Sequence, residues 1–522
     1  MPSVPEANLT DAVMVHAAAR PHAVALVEGP QSLTYGDLGA LLVRATTYLR
    51  RCGVAPGERT GIAMMNGIDH IIVLLALMRM GAVPVELPAE SGTPSVLQVA
   101  HKYRIGIVLT DPDLNLDPAG PGGGGPADGT GGGDAALTQV RINLDWRTEI
   151  AALPPDAGAA AGLDTLNLIT LTGGSTGIPT GVVNTHRQLL RRVDVWVEGL
   201  RPFTHGLDGP PLVLLTAPAR YAYFFFGLLA YLCTGGTLVL MPEFARGIDL
   251  LRAIAAYPDA FCFVTANICR FFLAAATPGK LLLPRLRLLE WSGQPLMPEE
   301  KRAVTQRVTP HVGENYGSAG AGRISNLQRE EFAHKAHTVG RPLPGMEVQI
   351  VDPAGIPVGR GEVGRLRCRA ASLASGPCPE DAATTGPEYF RDGWYYPGDL
   401  CSQDDDGYLI LKGRGADVVR RQGVDVFTAD IEAALMAHPS VRDAAVIGRP
   451  SQKRGEEIVA FLVPSGAPQH EDIANHCRAA LAPDRWPDHV FYIDVLPRNA
   501  AGKVERPRLR ILADARLAQN RP

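Results

Sequence analysis

Residues 166–181 read LNLITLTGGSTGIPTG, an apolar run that opens into four glycines within its last ten residues. Leu166–Leu171 has the composition of a buried strand. The stretch that follows, VVNTHRQLLRRV (182–193), has helical periodicity and predicts a helix from about Asn184. A strand that enters a glycine loop and leaves as a helix is a unit of α/β folds. Glycines reach positive φ and allow close backbone approach, so successive N–H groups can converge on an anion. Ser175 and Thr176 add hydroxyl donors. On residues 172–181 alone, a phosphate cradle and a solvent turn are equally good readings. The loop is not a Walker A motif, because no Gly-Lys-Ser/Thr is present. Its ninth position is Thr180, uncharged.

The same texture extends on both sides. GERTGIAMM (57–65) reads as a strand, DHIIVLLALMRMGA (69–82) as a buried helix stopped near Gly81, and VPVEL (83–87) as the next strand. This order predicts a mostly parallel α/β sheet. RLRLLEWSG (285–293) is strand then turn, and PLMPEEKRAVTQRV is a helix with Pro298 in its first turn. Beyond residue 340 short β runs take over (MEVQIVD, GRLRCRA, GYLILKG), and beyond 414 strand and helix alternate in a compact tail. The fold class expected is therefore α/β. A large N-terminal domain, 1–413, carries mostly parallel sheets and a β-rich subdomain. A small mobile α+β C-terminal domain spans 414–522. Residues 111–134, DPDLNLDPAGPGGGGPADGTGGGD, are expected to form a flexible loop, since they cannot bury apolar surface. No internal repeat is visible.

Bulk properties narrow the function. A chain of 522 residues exceeds one hydrophobic core, so at least two domains are expected. A formal net charge of -4 gives no basic footprint for nucleic acid or an anionic membrane. The cysteines (52, 233, 262, 269, 368, 378, 401 and 477) include no C-x-x-C pair. They read as scattered buried thiols of a reducing compartment. The N-terminus has neither a basic start nor a long apolar core, so a cytoplasmic protein is expected. Tyr221–Met241 is uncharged and long enough to span a bilayer, but Thr234-Gly235-Gly236 divides it into a helix and a short strand.

Two further motifs bear on the glycine loop. Asp399 follows a Pro-Gly turn in GWYYPGDL (393–400), where a carboxylate can accept both hydroxyls of a ribose or cap a turn. Lys503 sits in LPRNAAGKVERPRLR (496–510), where an isolated lysine is ordinarily a solvated charge.

Taken together and in order, these motifs resemble the adenylate-forming superfamily of acyl- and aryl-CoA synthetases, peptide-synthetase adenylation domains and luciferases. The resemblance covers nearly the whole chain. Thr172–Gly181 is similar to the pattern T-S-G-T-T-G-x-P-K-G, and Tyr316-Gly317-Ser318-Ala319-Gly320 to Y-G-x-T-E. Pro397-Gly398-Asp399 is similar to T-G-D, Gly413-Arg414-Gly415-Ala416 to G-R-x-D, and Gly502-Lys503 to the terminal G-K.

The resemblance implies ATP-dependent activation of a carboxylic acid as an acyl-adenylate with release of pyrophosphate. Transfer to CoA, a carrier-protein thiol or an amine would follow. It implies that Thr172, Gly174, Ser175, Thr176 and Gly177 hold phosphates, and that Tyr316 with Gly317 meets the adenine. Asp399 would bind the ribose with Arg414 nearby, and Lys503 would bridge the carboxylate and the α-phosphate. It implies an acid pocket with Tyr221, Tyr223, Ser292 and Gly293, and Arg220 either pairs an anionic substituent or faces solvent. No Asp occurs in 217–227 to meet an α-amino group, so an aryl or small acyl acid is expected. The implied cofactors are ATP and Mg2+.

The metal site is altered: Thr180 replaces the loop lysine, and Ala319-Gly320 replaces Thr-Glu, whose glutamate helps hold Mg2+. Glu314 is a nearby candidate substitute. The alternative function is a degenerate member that binds nucleotide or acyl ligand with little adenylation. The metal ligands and the oligomeric state cannot be read from the sequence.

Overall fold

The computed structural model describes residues 8–519 apart from 117–136, 157, 173–178, 205, 206, 208, 217, 219, 243–245, 385, 422, 423, 452, 453, 467–469 and 499–502. Most of the expected 111–134 loop therefore lies outside the described residues.

Two large sheets carry the first part of the chain. One has seven strands. Its parallel strands run in the order Leu166–Thr172, Val83–Glu86, Arg59–Ala63, Ile107–Thr110 and, at the edge, Thr138–Arg141. The other has nine, with Leu288–Ser292, Phe261–Thr265, Leu212–Leu215, Thr237–Leu240 and Val24–Glu28 parallel at its centre. A parallel sheet is buried on both faces, which is why the inner strands read as mostly apolar runs, while the edge strand Thr138–Arg141, TQVR, does not.

One core cluster joins strands of both sheets to several helices, among them Ile68–Met80, His186–Thr204 and Ala222–Thr234. The first of these is apolar all round, and eleven of its thirteen residues are buried. A helix with no polar face must lie inside the protein. It ends at Gly81, whose φ of 80° only glycine adopts without cost. The uncharged stretch 221–241 resolves as a helix to Thr234, a left-handed Gly235, and a strand from Thr237. Among the described residues, no helix is long and apolar enough to cross a membrane.

A third, antiparallel sheet contains Glu347–Val351, Gly364–Arg369, Asp399–Gln403 and Leu409–Arg414. A fourth has Val418–Arg421, Val424–Phe427, Val441–Ser451 and Gly455–Pro464, with His489–Tyr492 parallel to the last. This fourth sheet has its own apolar clusters, centred on Val446 and Phe461.

One sequence expectation fails locally. The helix does not begin near Asn184. Thr180–Thr185 is a strand, antiparallel to Leu166–Thr172, and the helix starts at His186. Val182 and Val183 prefer the pleated surface to a helical first turn. The glycine loop is thus closed as a hairpin, with Thr172 opposite Thr180.

His186 illustrates how the start of the helix His186–Thr204 is tied down. Its side chain is fully buried, and its Nδ1 accepts the Leu9 N–H at 3.2 Å. Asn8 and Asn167 lie 3.1 and 2.9 Å from its ring nitrogens. Burial, only partly offset by a bond to the Met78 carbonyl and by Asp11, lowers its pKa to about 4. Because the folded pKa lies below the unfolded one, the stabilisation is complete above about pH 6.5 and drains away as pH falls toward 4. Acid titration of unfolding is expected to lose about 3 kcal/mol across that window through this group. His186→Gln should flatten the window; an unchanged profile would contradict the assignment.

Candidate active site

The antiparallel hairpin Val312–Ser318 and Gly322–Gln328 brings Tyr316 to the end of its strand. The Tyr316 hydroxyl donates to Asp399 Oδ2 at 2.6 Å. Asp399 is positioned by Gly398, whose φ is 86°, at the start of its own strand. Directly across that ladder stands Arg414, with Nε 3.4 Å from Asp399 Oδ1. Burial pushes the Tyr316 phenol well up, and the neighbouring Asp399 charge adds to this.

Lys503 belongs to the same neighbourhood. It keeps exposed surface, yet its pKa is lowered: loss of water comes first and the Arg414 charge second, against Asp399. The segment before it is fastened by Arg498, which donates to Asp443 at 2.7 Å and reaches Gln294 at 3.4 Å. Three residues singled out from separate motifs, Tyr316, Asp399 and Arg414, therefore meet at one place, and Lys503 lies within range of the Asp399 and Arg414 charges. Gly317 is required by packing, since a Cβ there would lie 2.2 Å from the Gly322 carbonyl oxygen.

Gly174, Ser175, Thr176 and Gly177 lie outside the described residues. The base of their loop is defined. Thr172 Oγ1 and Thr180 Oγ1 are 2.6 Å apart, and Thr180 is buried. A lysine at 180 would have to break that pair and leave the strand surface, so the replacement fits the hairpin. The exit of the loop is held by a cluster that sequence reading did not find. Asp381 accepts from the Gly181 N–H at 2.8 Å and from the Tyr103 hydroxyl at 2.7 Å, and pairs with Lys102 at 2.6 Å. Lys102 also donates to the Pro179 carbonyl at 2.8 Å, and the Tyr103 oxygen lies 2.9 Å from the same carbonyl. Residues 102 and 381 are too far apart in sequence for any spacing signal.

On the acid side, Tyr223 donates to Glu290 Oε2 at 2.7 Å. Glu290 is fully buried and pairs with Arg323, whose guanidinium stacks 3.9 Å over Trp196. Asn326 reaches the other carboxylate oxygen at 3.4 Å. Trp196, Tyr223 and Phe263 form an aromatic group with ring centroids 5.3–5.8 Å apart. The only sequence hint was a lone acid in an apolar strand, LLEWS, and a lone base in GRISN. Phe225 and Phe226 are core residues. Tyr221 starts the helix, half-buried, beside Arg220. Arg220 neither faces solvent nor awaits a substrate anion: it pairs with Glu90 at 3.0 Å. Ser292 donates to the Asn315 carbonyl at 2.8 Å, and Gly293 has φ 88° with open space beside it.

Glu314, the candidate metal carboxylate, lies inside the protein. It is paired with Lys301, so it cannot replace the missing glutamate. Among the described residues, no group of three His, Cys, Asp or Glu side chains could hold a metal.

The profile of the AMP-binding enzymes matches residues 13–376, and that of their C-terminal domain matches residues 430–503. The chain belongs to the AMP-binding enzymes. A salicyl-AMP ligase / salicyl-S-ArCP synthetase of Mycobacterium tuberculosis is 30% identical over 92% of this chain and 85% of its own length. A feruloyl-CoA synthase of an Amycolatopsis species is 28% identical over 94% and 96%. In fold, this AMP-binding enzyme is similar to the o-succinylbenzoate CoA synthetase of Bacillus subtilis solved with its acyl-adenylate. The TM-score is 0.83 at 22% identity, over 97% of this chain and 98% of the other. It is likewise similar to an amide bond synthetase of Marinactinospora thermotolerans, with TM-score 0.81 at 24% identity over 97% and 99%. As a member of this family of ligases, the AMP-binding enzyme described here activates a carboxylic acid with ATP as an acyl-adenylate, then transfers the acyl group.

Proposed function

We propose that this ligase activates an aryl acid and hands the acyl group to a thiol, either CoA or the arm of a separate carrier protein. The convergence of Tyr316, Asp399 and Arg414, with Lys503 in range of their charges, is the observation that supports the site assignment. In this reading Tyr316 and Gly317 meet the adenine, and Asp399 and Arg414 hold the ribose. Thr172 and Gly174–Gly177 take the phosphates. Tyr221, Tyr223, Ser292 and Gly293 border the acid. The aromatic group of Trp196, Tyr223 and Phe263 gives a flat ring faces to pack on, at the 5.3–5.8 Å spacing of ordinary ring pairs. The acids in the names of the two curated relatives, salicylate and ferulate, are aryl acids.

A carboxylate oxygen of the acid attacks the α-phosphorus, and the bond to pyrophosphate breaks. Negative charge gathers between two anions that water would hold apart. The Lys503 ammonium neutralises it, and the site supplies alignment. In the second step the acceptor thiol loses its proton to water, its sulfur attacks the acyl carbon, and the bond from that carbon to the phosphate oxygen breaks as AMP leaves.

The test is pyrophosphate release with benzoates, cinnamates, fatty acids and amino acids, followed by product analysis with CoA and with a phosphopantetheinylated carrier. Turnover confined to aryl acids, with a thioester product, is the expected result. Release with amino acids alone, or with no acid, would overturn the reading.

A further inference from the structure

The last three residues of the glycine stretch, 179–181, are held from outside their own hairpin. Gly181 is bonded on both sides to the turn at 378–381. Its N–H donates to Asp381 Oδ2 at 2.8 Å, and its carbonyl accepts the Cys378 N–H at 2.8 Å. A Cβ at 181 would lie 2.8 Å from Cys378 Sγ and 3.1 Å from the Tyr103 ring, so only glycine passes between them. The Pro179 carbonyl accepts from Lys102 Nζ at 2.8 Å. Between these two, Thr180 is buried with its hydroxyl on that of Thr172. Each residue of the loop exit thus has a partner elsewhere in the fold.

Asp381 is the centre of these ties. It is buried, and its two oxygens take three donors. Oδ2 takes the Gly181 N–H and the Tyr103 hydroxyl, and Oδ1 takes Lys102 Nζ at 2.6 Å. Burial and the Asp381 carboxylate push the Tyr103 phenol well up, so it keeps its proton for that bond. Arg59 braces both flanks, donating to Glu380 at 2.7 Å and to the Tyr103 carbonyl at 2.9 Å. Lys102 and Arg59 face Asp381 and Glu380, so the cluster offers a phosphate no net charge. What it offers is a fixed backbone. A segment ordered before its ligand arrives loses little freedom on binding.

We propose that Asp381 and Lys102 are positioning residues of the nucleotide site: by fixing residues 179–181 they set the glycine loop for the terminal phosphates of ATP. They act through the loop and not by touching the nucleotide. Position 180 needs no lysine in this arrangement, because a lysine from another segment holds the neighbouring carbonyl. This inference rests on the phosphate role proposed above for Thr172 and Gly174–Gly177.

The experiment is calorimetric binding of ATP and of AMP, both with Mg2+, to the full chain and to its Lys102→Met, Lys102→Arg and Asp381→Asn variants. Circular dichroism identifies a temperature at which each variant is folded. AMP lacks the terminal phosphates, so it reports the adenine, ribose and α-phosphate contacts alone. Lys102→Met is expected to bind ATP about tenfold more weakly, the scale of one lost hydrogen bond to a charged group, with AMP nearly unchanged. Lys102→Arg keeps donors for both Asp381 and the Pro179 carbonyl and should restore ATP binding. Asp381→Asn removes a negative charge beside the loop, yet it is expected to weaken ATP by about tenfold as well, because the ties of Lys102 and Gly181 loosen. Tighter ATP binding by Asp381→Asn would show that charge and not position governs the loop, and would overturn the proposal. So would equal loss of ATP and AMP, or full ATP affinity in folded Lys102→Met. If the wild-type chain binds no ATP, the proposed function falls along with this inference. If it binds ATP and Lys102→Met matches it, this inference alone fails.

Discussion

Lys503→Ala is expected to slow pyrophosphate release by about a hundredfold or more, with ATP affinity changed far less. The reason is where the charge is needed. Both reactants are anions, and the ammonium is worth most when the carboxylate oxygen and the α-phosphoryl group approach bonding distance. A contact made mainly in the transition state appears in kcat and hardly in ground-state binding. Lys503 has Arg414 as a like-charged neighbour and Asp399 as an opposite one. Removing it leaves the Tyr316–Asp399–Arg414 group intact, so the nucleotide should still be held. Transfer from pre-formed acyl-adenylate to the acceptor should be nearly unaffected, because that step breaks no bond to pyrophosphate. Stopped-flow measurement of the two half-reactions separates them. Equal loss in both would show that Lys503 supports the fold or the acceptor instead.

Glu290→Leu is expected to cost about 3–5 kcal/mol of stability. Glu290 and Arg323 are both buried, and the pair is closed on all sides by Tyr223, Asn326 and Trp196. Deleting the carboxylate strands a guanidinium in apolar surroundings and takes the acceptor from the Tyr223 hydroxyl. The joint variant Glu290→Leu/Arg323→Met should recover most of the loss, since a buried ion pair replaced as a unit is often close to neutral. Denaturant unfolding of the two variants measures this. Losses that simply add in the double variant would mean the two charges do not act as a pair. The single variant should also alter acid selection, because the Tyr223 ring is held in place through Glu290.

The sequence made the architecture readable where a single physical rule acts over a short stretch. The parallel strands announced themselves as unbroken apolar runs, and the helix Ile68–Met80 by its lack of any polar face. Gly81 and Gly235 marked the helix ends that carry left-handed backbone. The strand Thr180–Thr185 is not legible, because a helical pattern follows it directly and six residues do not establish a period. Of the site, Tyr316, Asp399, Arg414 and Lys503 were legible as motifs, while their convergence was not. It depends on a strand ladder that sets residues 399 and 414 opposite one another. The unreadable parts share one cause. Asp381 with Lys102 and Glu290 with Arg323 each join distant residues, and a lone charge in one chain segment does not name its partner in another.

The placement of the cysteines has a chemical consequence for a ligase. An acyl-adenylate is a mixed anhydride, and any thiolate within reach will take its acyl group. Seven of the eight thiols are buried, and Cys52 is half-buried. Burial raises the pKa of Cys233, Cys262, Cys269, Cys368, Cys378, Cys401, Cys477 and Cys52 alike. Each therefore stays protonated and poorly nucleophilic at neutral pH. The enzyme makes an electrophile in quantity while keeping its own sulfur out of the competition, so self-acylation does not drain the intermediate meant for the acceptor.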